Sequence, residues 1–298
     1  MRPLPAPTLE NLNPPVRGYD YFVHPRNTLD TERGVDSARN RWLLSEFALL
    51  AYEDATRIRE VLSGAGQVQE LVGERHRGFG FVAQFGNESV LAFRGTQAFR
   101  PGDPPQKFRA IARDFWTDAR IERRRLSDES WVHGGFADSA DELFRALQAS
   151  GLTRTTRRWW ICGHSLGGAL AVLVAERLRA LPDQHLRAVV TFGQPRVGNG
   201  AHRAQLEALP LRRVVHGCDV VPSLPPNGLG FVHASDEYVL APERRANYAL
   251  TVWNHVLGYW QRWRHGLGAL TPVAVLDHAP LYYATHCYNE FESSETTE

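Results

Sequence analysis

The sequence predicts an α/β domain: a mostly parallel sheet covered by helices on both faces. Two patterns carry that expectation. Short strand-like runs alternate with longer stretches of helical periodicity, as when parallel strands are joined by crossover helices. Several of those runs are apolar throughout instead of alternating, which suits strands buried on both sides. Size and composition agree. The chain has 298 residues, 43% hydrophobic and 22% charged, enough for one large globular core.

Residues 1–36 are rich in proline and polar residues with little periodicity, and read as an extended arm lying on the domain. Residues 37–292 read as a single domain. Its first element is a long amphipathic helix at about 37–62, with Asp36 as a candidate cap and Trp42, Leu43, Phe47, Leu50, Ala51, Ile58, Val61 and Leu62 at near-helical spacing. Gly64 and Gly66 end it. Three strands follow at Gln67–Val72, Gly80–Phe85 and Ser89–Phe93. Residues 97–125 carry mixed signals. A helix fits 137–149, a buried strand Arg158–Cys162, and an Ala- and Leu-rich helix Leu166–Leu181. Leu186–Phe192 and Leu211–His216 are two more buried strands, and Phe231–Leu240 a strand or hairpin. The stretch 243–264 looks helical and carries many aromatics. Residues 293–298 read as a disordered acidic tail.

The most informative stretch is Cys162-Gly163-His164-Ser165-Leu166-Gly167-Gly168, a Gly-x-Ser-x-Gly between a predicted strand and a predicted helix. A serine on such a tight turn takes strained backbone angles and needs small neighbours. The turn exposes its hydroxyl at the sheet edge and leaves the Leu166 amide at a helix N-terminus, suited to holding an oxyanion. A serine at its ordinary pKa is a poor nucleophile, so a base and an orienting carboxylate are needed. On this architecture they follow in the order Ser, Asp, His. Asp219, just past the run Leu211–Gly217, is the acid candidate. Sequence order alone leaves His233, His278 and His286 open as the base, with His255 and His265 falling in the helical stretch.

The chain resembles the class 3 lipases, the α/β-hydrolase family of the fungal triacylglycerol lipases. The matching pieces are Leu91-Ala92-Phe93-Arg94-Gly95-Thr96, Phe115-Trp116-Thr117-Asp118, Val132-His133-Gly134-Gly135-Phe136, the Gly163–Gly168 turn, Thr191-Phe192-Gly193-Gln194-Pro195-Arg196-Val197-Gly198-Asn199, Asp219-Val220-Val221-Pro222 and Asp277-His278. They occur in the family's order over about Ser37 to Tyr283. The resemblance implies an α/β-hydrolase fold and an ester hydrolase, with Ser165 as nucleophile, Asp219 as acid, His278 as base, and Thr96 and Leu166 at the oxyanion hole. It implies that Arg94 holds a nearby carboxylate, and that His133 and His164 support the site without doing chemistry. It also places an amphipathic lid after Thr96, in the stretch 97–115, with Phe108, Ile111 and Phe115 facing substrate. Acylglycerols are the expected substrates. Phospholipids or short-chain esters on the same fold, a peptidase sharing the triad, and a silent binding protein are the alternatives.

Other classes are disfavoured. Thirty-four basic side chains against 33 acidic give a net charge of +1, no footprint for nucleic acid. No apolar run suggests a transmembrane helix; the expected partner is a lipid or ester substrate, with transient contact at a lipid interface. No metal-ligand spacing is present and no cofactor is expected. Three cysteines are too few for a disulfide framework, and Met1–Pro7 has no apolar core of a secretory signal. A reducing, cytoplasmic location is therefore the expectation, with Cys162, Cys218 and Cys287 as small buried hydrophobes.

Overall fold

The computed structural model describes residues 1–6, 11, 14–16, 18–74, 78–96, 122–242 and 277–297. Its strands are β1 (Gln67–Val72), β2 (Phe79–Phe85), β3 (Glu88–Phe93), β4 (Arg123–Arg125), β5 (Trp131–His133), β6 (Arg158–His164), β7 (His185–Phe192), β8 (Leu211–His216) and β9 (Glu237–Leu240). The main helices are α1 (Ala38–Leu50), α2 (Ala55–Val61), α3 (Gly134–Ala149), α4 (Leu166–Arg179), α5 (Gly200–Leu206) and α6 (Pro280–Thr297).

Among the described residues, seven strands form one sheet in the order β1-β2-β3-β6-β7-β8-β9. The first three are antiparallel neighbours, and every pairing from β3 to β9 is parallel. Successive side chains of a strand point to opposite faces, and here both faces are apolar. Leu91, Phe93, Trp159 and Ile161 join a core with α3 and α4. Val90, Ala92, Trp160 and Cys162, each one residue out of phase, join a second core with α1 and α6. That double burial explains the uninterrupted apolar runs.

The predicted helix over 37–62 is two helices. Asp54 takes extended angles and accepts the Arg57 N–H at 2.9 Å, capping α2 and breaking the run after α1. The cap of α1 is Ser37, accepting from the Asn40 N–H at 3.3 Å; Asp36 pairs with Arg212 instead. Only Glu237–Leu240 of the stretch 231–240 is a strand. The predicted disordered tail is helical through Thr297. Ser293, Ser294 and Thr296 hydroxyls donate back to carbonyls of Asn289, Phe291 and Glu292, and Glu295 pairs with Arg26.

Residues 1–6 run along α6. The Arg2 N–H donates to Asn289 Oδ1 at 2.6 Å, Asn289 Nδ2 donates to the Arg2 carbonyl at 2.9 Å, and the Tyr282 hydroxyl donates to the Pro5 carbonyl. The Arg2 guanidinium reaches the buried Glu46 of α1 at 2.7 Å and lies 4.3 Å over the Tyr288 ring. Among the described residues no helix is long and apolar enough to cross a membrane.

Candidate active site

The site lies at the C-terminal ends of the parallel strands, where successive strand-to-loop turns converge. Strand β6 ends at His164, and Ser165 turns the chain into α4 with φ +58° and ψ −127°. Only a locally determined backbone holds a non-glycine residue there. The Ser165 N–H donates to the Phe192 carbonyl at the end of β7, and its carbonyl accepts the Gly168 N–H, both at 2.9 Å. The glycines are explained by space. A Cβ on Gly163 would overlap the Gly167 carbonyl, and one on Gly167 would overlap the Phe93 carbonyl and sit 2.8 Å from the Arg94 carbonyl carbon. The first amide of α4, on Leu166, has no carbonyl a turn earlier within its helix.

Ser165 Oγ is 2.8 Å from His278 Nε2, and His278 Nδ1 is 2.8 Å from Asp219 Oδ2. A carboxylate only accepts, so Nδ1 carries the ring proton and the Nε2 lone pair faces the serine hydroxyl. Asp219 stands three residues past β8, with its side chain fully buried. Its Oδ1 accepts the Val221 N–H at 2.9 Å, and its Oδ2 also accepts the Tyr283 hydroxyl at 2.5 Å. Burial, and then the charge of Asp219, push the Tyr283 hydroxyl well above its ordinary value, so it remains a donor. Gly193, with φ +58°, lies under the pair: a Cβ there would be 2.7 Å from Asp219 Oδ2 and 2.9 Å from His278 Nδ1.

The structure thus brings Ser165, Asp219 and His278 together. The other two open histidines have other neighbours. His233 Nε2 donates to the Pro222 carbonyl at 2.7 Å, and burial pushes its pKa down to about 3. His286 lies on α6 with its ring 4.5 Å from that of His216. Thr96 follows β3 by three residues and is exposed; its neighbour Gly95 is so close to the turn that a Cβ would lie 3.0 Å from Ser165 Cβ. Phe108, Ile111 and Phe115, and the aromatic stretch 243–264, lie outside the described residues.

His164 and His133 behave as supports. Burial, and then the neighbouring His278, hold His164 well below the usual imidazole range. His133 caps α3 by accepting the Phe136 N–H, with its ring stacked 4.0 Å from that of Phe136. The expected carboxylate partner of Arg94 is not found among the described residues; its guanidinium lies 4.6 Å over the Phe79 ring. Cys162 and Cys287 are buried and their thiols are pushed up by burial, whereas Cys218 is partly exposed. Among the described residues no cluster of histidine, cysteine and carboxylate groups could hold a metal. Sequence reading missed Tyr283, Tyr52 and Gly193. Of these, Gly193 and Tyr283 sit inside or beside the quoted motifs, while Tyr52 carries no signal of its own.

The profile of the family described as "Lipase (class 3)" matches residues 90–229. A lipase of Rhizomucor miehei is 40% identical over 117 residues, covering 36% of this chain and 32% of the relative. A protein of Fusarium solani named secreted mono- and diacylglycerol lipase 1 is 38% identical over 115 residues, covering 37% and 34%. The chain spans about a third of the length of these two curated relatives. The crystal structure of a lipase from Rhizopus microsporus var. chinensis superposes with a TM-score of 0.52 at 23% identity, covering 68% of this chain and 72% of that one, and fixes the fold as an α/β hydrolase. The relatives also correct one expectation: the Fusarium solani protein and one of Malassezia globosa are named as secreted, which overturns the cytoplasmic location. Few cysteines do not mark a reducing compartment when two of the three free thiols are sealed in the core.

Proposed function

We propose that the chain, which matches the class 3 lipase profile over residues 90–229, is a secreted serine hydrolase of acylglycerol esters. The observation that carries this reading is the continuous line from Ser165 Oγ through the His278 ring to Asp219, with both links at 2.8 Å. Nucleophile, base and orienting acid are each in hydrogen-bond reach of the next.

His278 Nε2 takes the Ser165 proton as Oγ attacks the ester carbonyl carbon. The carbonyl oxygen becomes an oxyanion, held by the backbone N–H groups of Thr96 and Leu166. The C–O bond to the alcohol breaks, and the alcohol leaves with the proton from His278. Water then adds to the acyl-enzyme, giving its proton to His278, and the fatty acid departs as Ser165 recovers a proton. Asp219 holds the ring in the required tautomer and offsets the charge of the imidazolium. Loss of one oxyanion donor costs about 10²–10³ in rate. The names of the relatives support glycerides as substrates and a location outside the cell.

The test is hydrolysis of mono-, di- and triacylglycerols, a phosphatidylcholine and a nitrophenyl acetate by the parent chain and by Ser165→Ala. The glycerides are expected to be turned over by the parent, with a loss of roughly 10⁴-fold or more in the variant. Preference for the phospholipid or the acetate would reassign the substrate, and undiminished turnover by Ser165→Ala would remove the mechanism.

A further inference from the structure

The base sits on a loop. Asp277 and His278 precede α6, which begins at Pro280, and lie in a turn outside the described helices and strands. Carbonyl oxygens of such a loop still need donors when buried. Two histidines supply them. His216 Nδ1 lies 3.0 Å from the Asp277 carbonyl oxygen, and His164 Nε2 lies 2.7 Å from the His278 carbonyl oxygen. A carbonyl only accepts, so each of those ring nitrogens carries a proton.

The placement of the two rings follows from the sheet. His164 is the last residue of β6 and His216 the last of β8. These strands deliver Ser165 and Asp219. Each strand that presents one member of the triad therefore also ends in a side chain that grips a backbone carbonyl at the third member or at the residue just before it. The grip is extended on both sides. Cys218 N–H donates to Asp277 Oδ2 at 2.8 Å, one residue before the acid. With its Nε2 protonated, His164 accepts at Nδ1, where the Tyr52 hydroxyl donates at 2.8 Å. Both rings are buried, His216 completely.

Resting on the triad reading, we propose that His164 and His216 are positioning residues: a pair of donor clamps on the consecutive carbonyls of Asp277 and His278 that set the base at once against Ser165 and Asp219. Neither ring passes a proton to substrate. Each acts through the orientation of His278, where a misplacement of about 1 Å can cost roughly 100-fold in rate.

The two clamps donate from different ring atoms, which separates them from packing. An asparagine amide nitrogen falls where Nδ1 lies, and a glutamine amide nitrogen reaches the place of Nε2. The experiment compares kcat and KM on a soluble ester for His164→Asn, His164→Gln, His216→Asn, His216→Gln and Ser165→Ala, with thermal melts to confirm folding. His164→Asn and His216→Gln are expected to lower kcat about 10- to 100-fold with KM little changed. His164→Gln and His216→Asn are expected to recover most of that loss. The low-field proton resonance of His278 Nδ1–H should shift or broaden only in the variants that lose the donor. Equal kcat for the asparagine and glutamine variants at either position would overturn the proposal. If a histidine variant does not fold, Tyr52→Phe leaves both rings in place and removes the donor that fixes the His164 tautomer; a fall in kcat supports the clamp and an unchanged kcat overturns it. Should Ser165→Ala stay active, the triad reading itself fails. Should it be inactive while all four histidine variants match the parent, only the clamps fail.

Discussion

The Asp219 carboxylate accepts from three donors: the His278 ring, the Val221 amide and the Tyr283 hydroxyl. The last shares Oδ2 with the ring, so it spreads the acid's charge and fixes where that oxygen points. Tyr283→Phe removes one buried hydrogen bond to a charged group, worth about 1.5–3 kcal/mol. A fall in kcat of roughly ten-fold is the expected result in steady-state ester hydrolysis, and unchanged kcat would make the hydroxyl a bystander. Of the residues in this cluster, the sequence made Ser165 legible through its glycines and Asp219 through its place past a strand. Chain order left three histidines open, because it carries no information about which loop reaches the serine; the resemblance of Asp277-His278 to the class 3 lipase motif is what pointed to His278. Tyr283 was hidden for a related reason: its hydroxyl, which also accepts the His216 N–H at 3.0 Å, meets Asp219 only because folding brings the start of α6 to the end of β8, which is tertiary geometry.

At the scale of elements, the strand-to-helix turns do the positioning, and glycines make them possible. Gly193 combines φ +58° with a flank against Asp219 and His278. Gly193→Ala adds strain of about 1–3 kcal/mol at the backbone and forces the acid and base apart. Differential scanning calorimetry with an ester assay should find a lower melting temperature and a kcat at least ten-fold down; retention of both would mean the loop can give way. Strand positions were well legible where burial on both faces made apolar runs continuous, as at Leu211–His216. The helix over 37–62 misled because Leu50 and Ile58 are both fully buried, so apolar spacing runs through the break that Asp54 creates. The tail misled because its acidic, polar composition gives no apolar face, while Phe291, stacked 5.1 Å from Trp42, anchors α6 at its far end.

For the molecule as a whole, the two chain ends are fastened to the same core. Glu46 is buried, burial pushes its carboxyl up, and Arg2 opposes that shift as its ion-pair partner. Arg2→Ala leaves a buried acid without its cation, and chemical denaturation should show a loss of about 3 kcal/mol; no loss would place the arm outside the folded unit. Such a contact, between residue 2 and helices α1 and α6, could not be read from a proline-rich arm with no periodicity. The same long-range closure brings Ser165 to His278 across more than a hundred residues, and catalysis depends on that meeting. Labelling with a fluorophosphonate, followed by peptide mapping of the parent and of His278→Ala, tests it most directly. A single adduct on Ser165 is expected, forming at least roughly a thousand-fold more slowly in the variant, as for loss of a triad member. An adduct on another residue, or equal labelling rates in the two proteins, would contradict it.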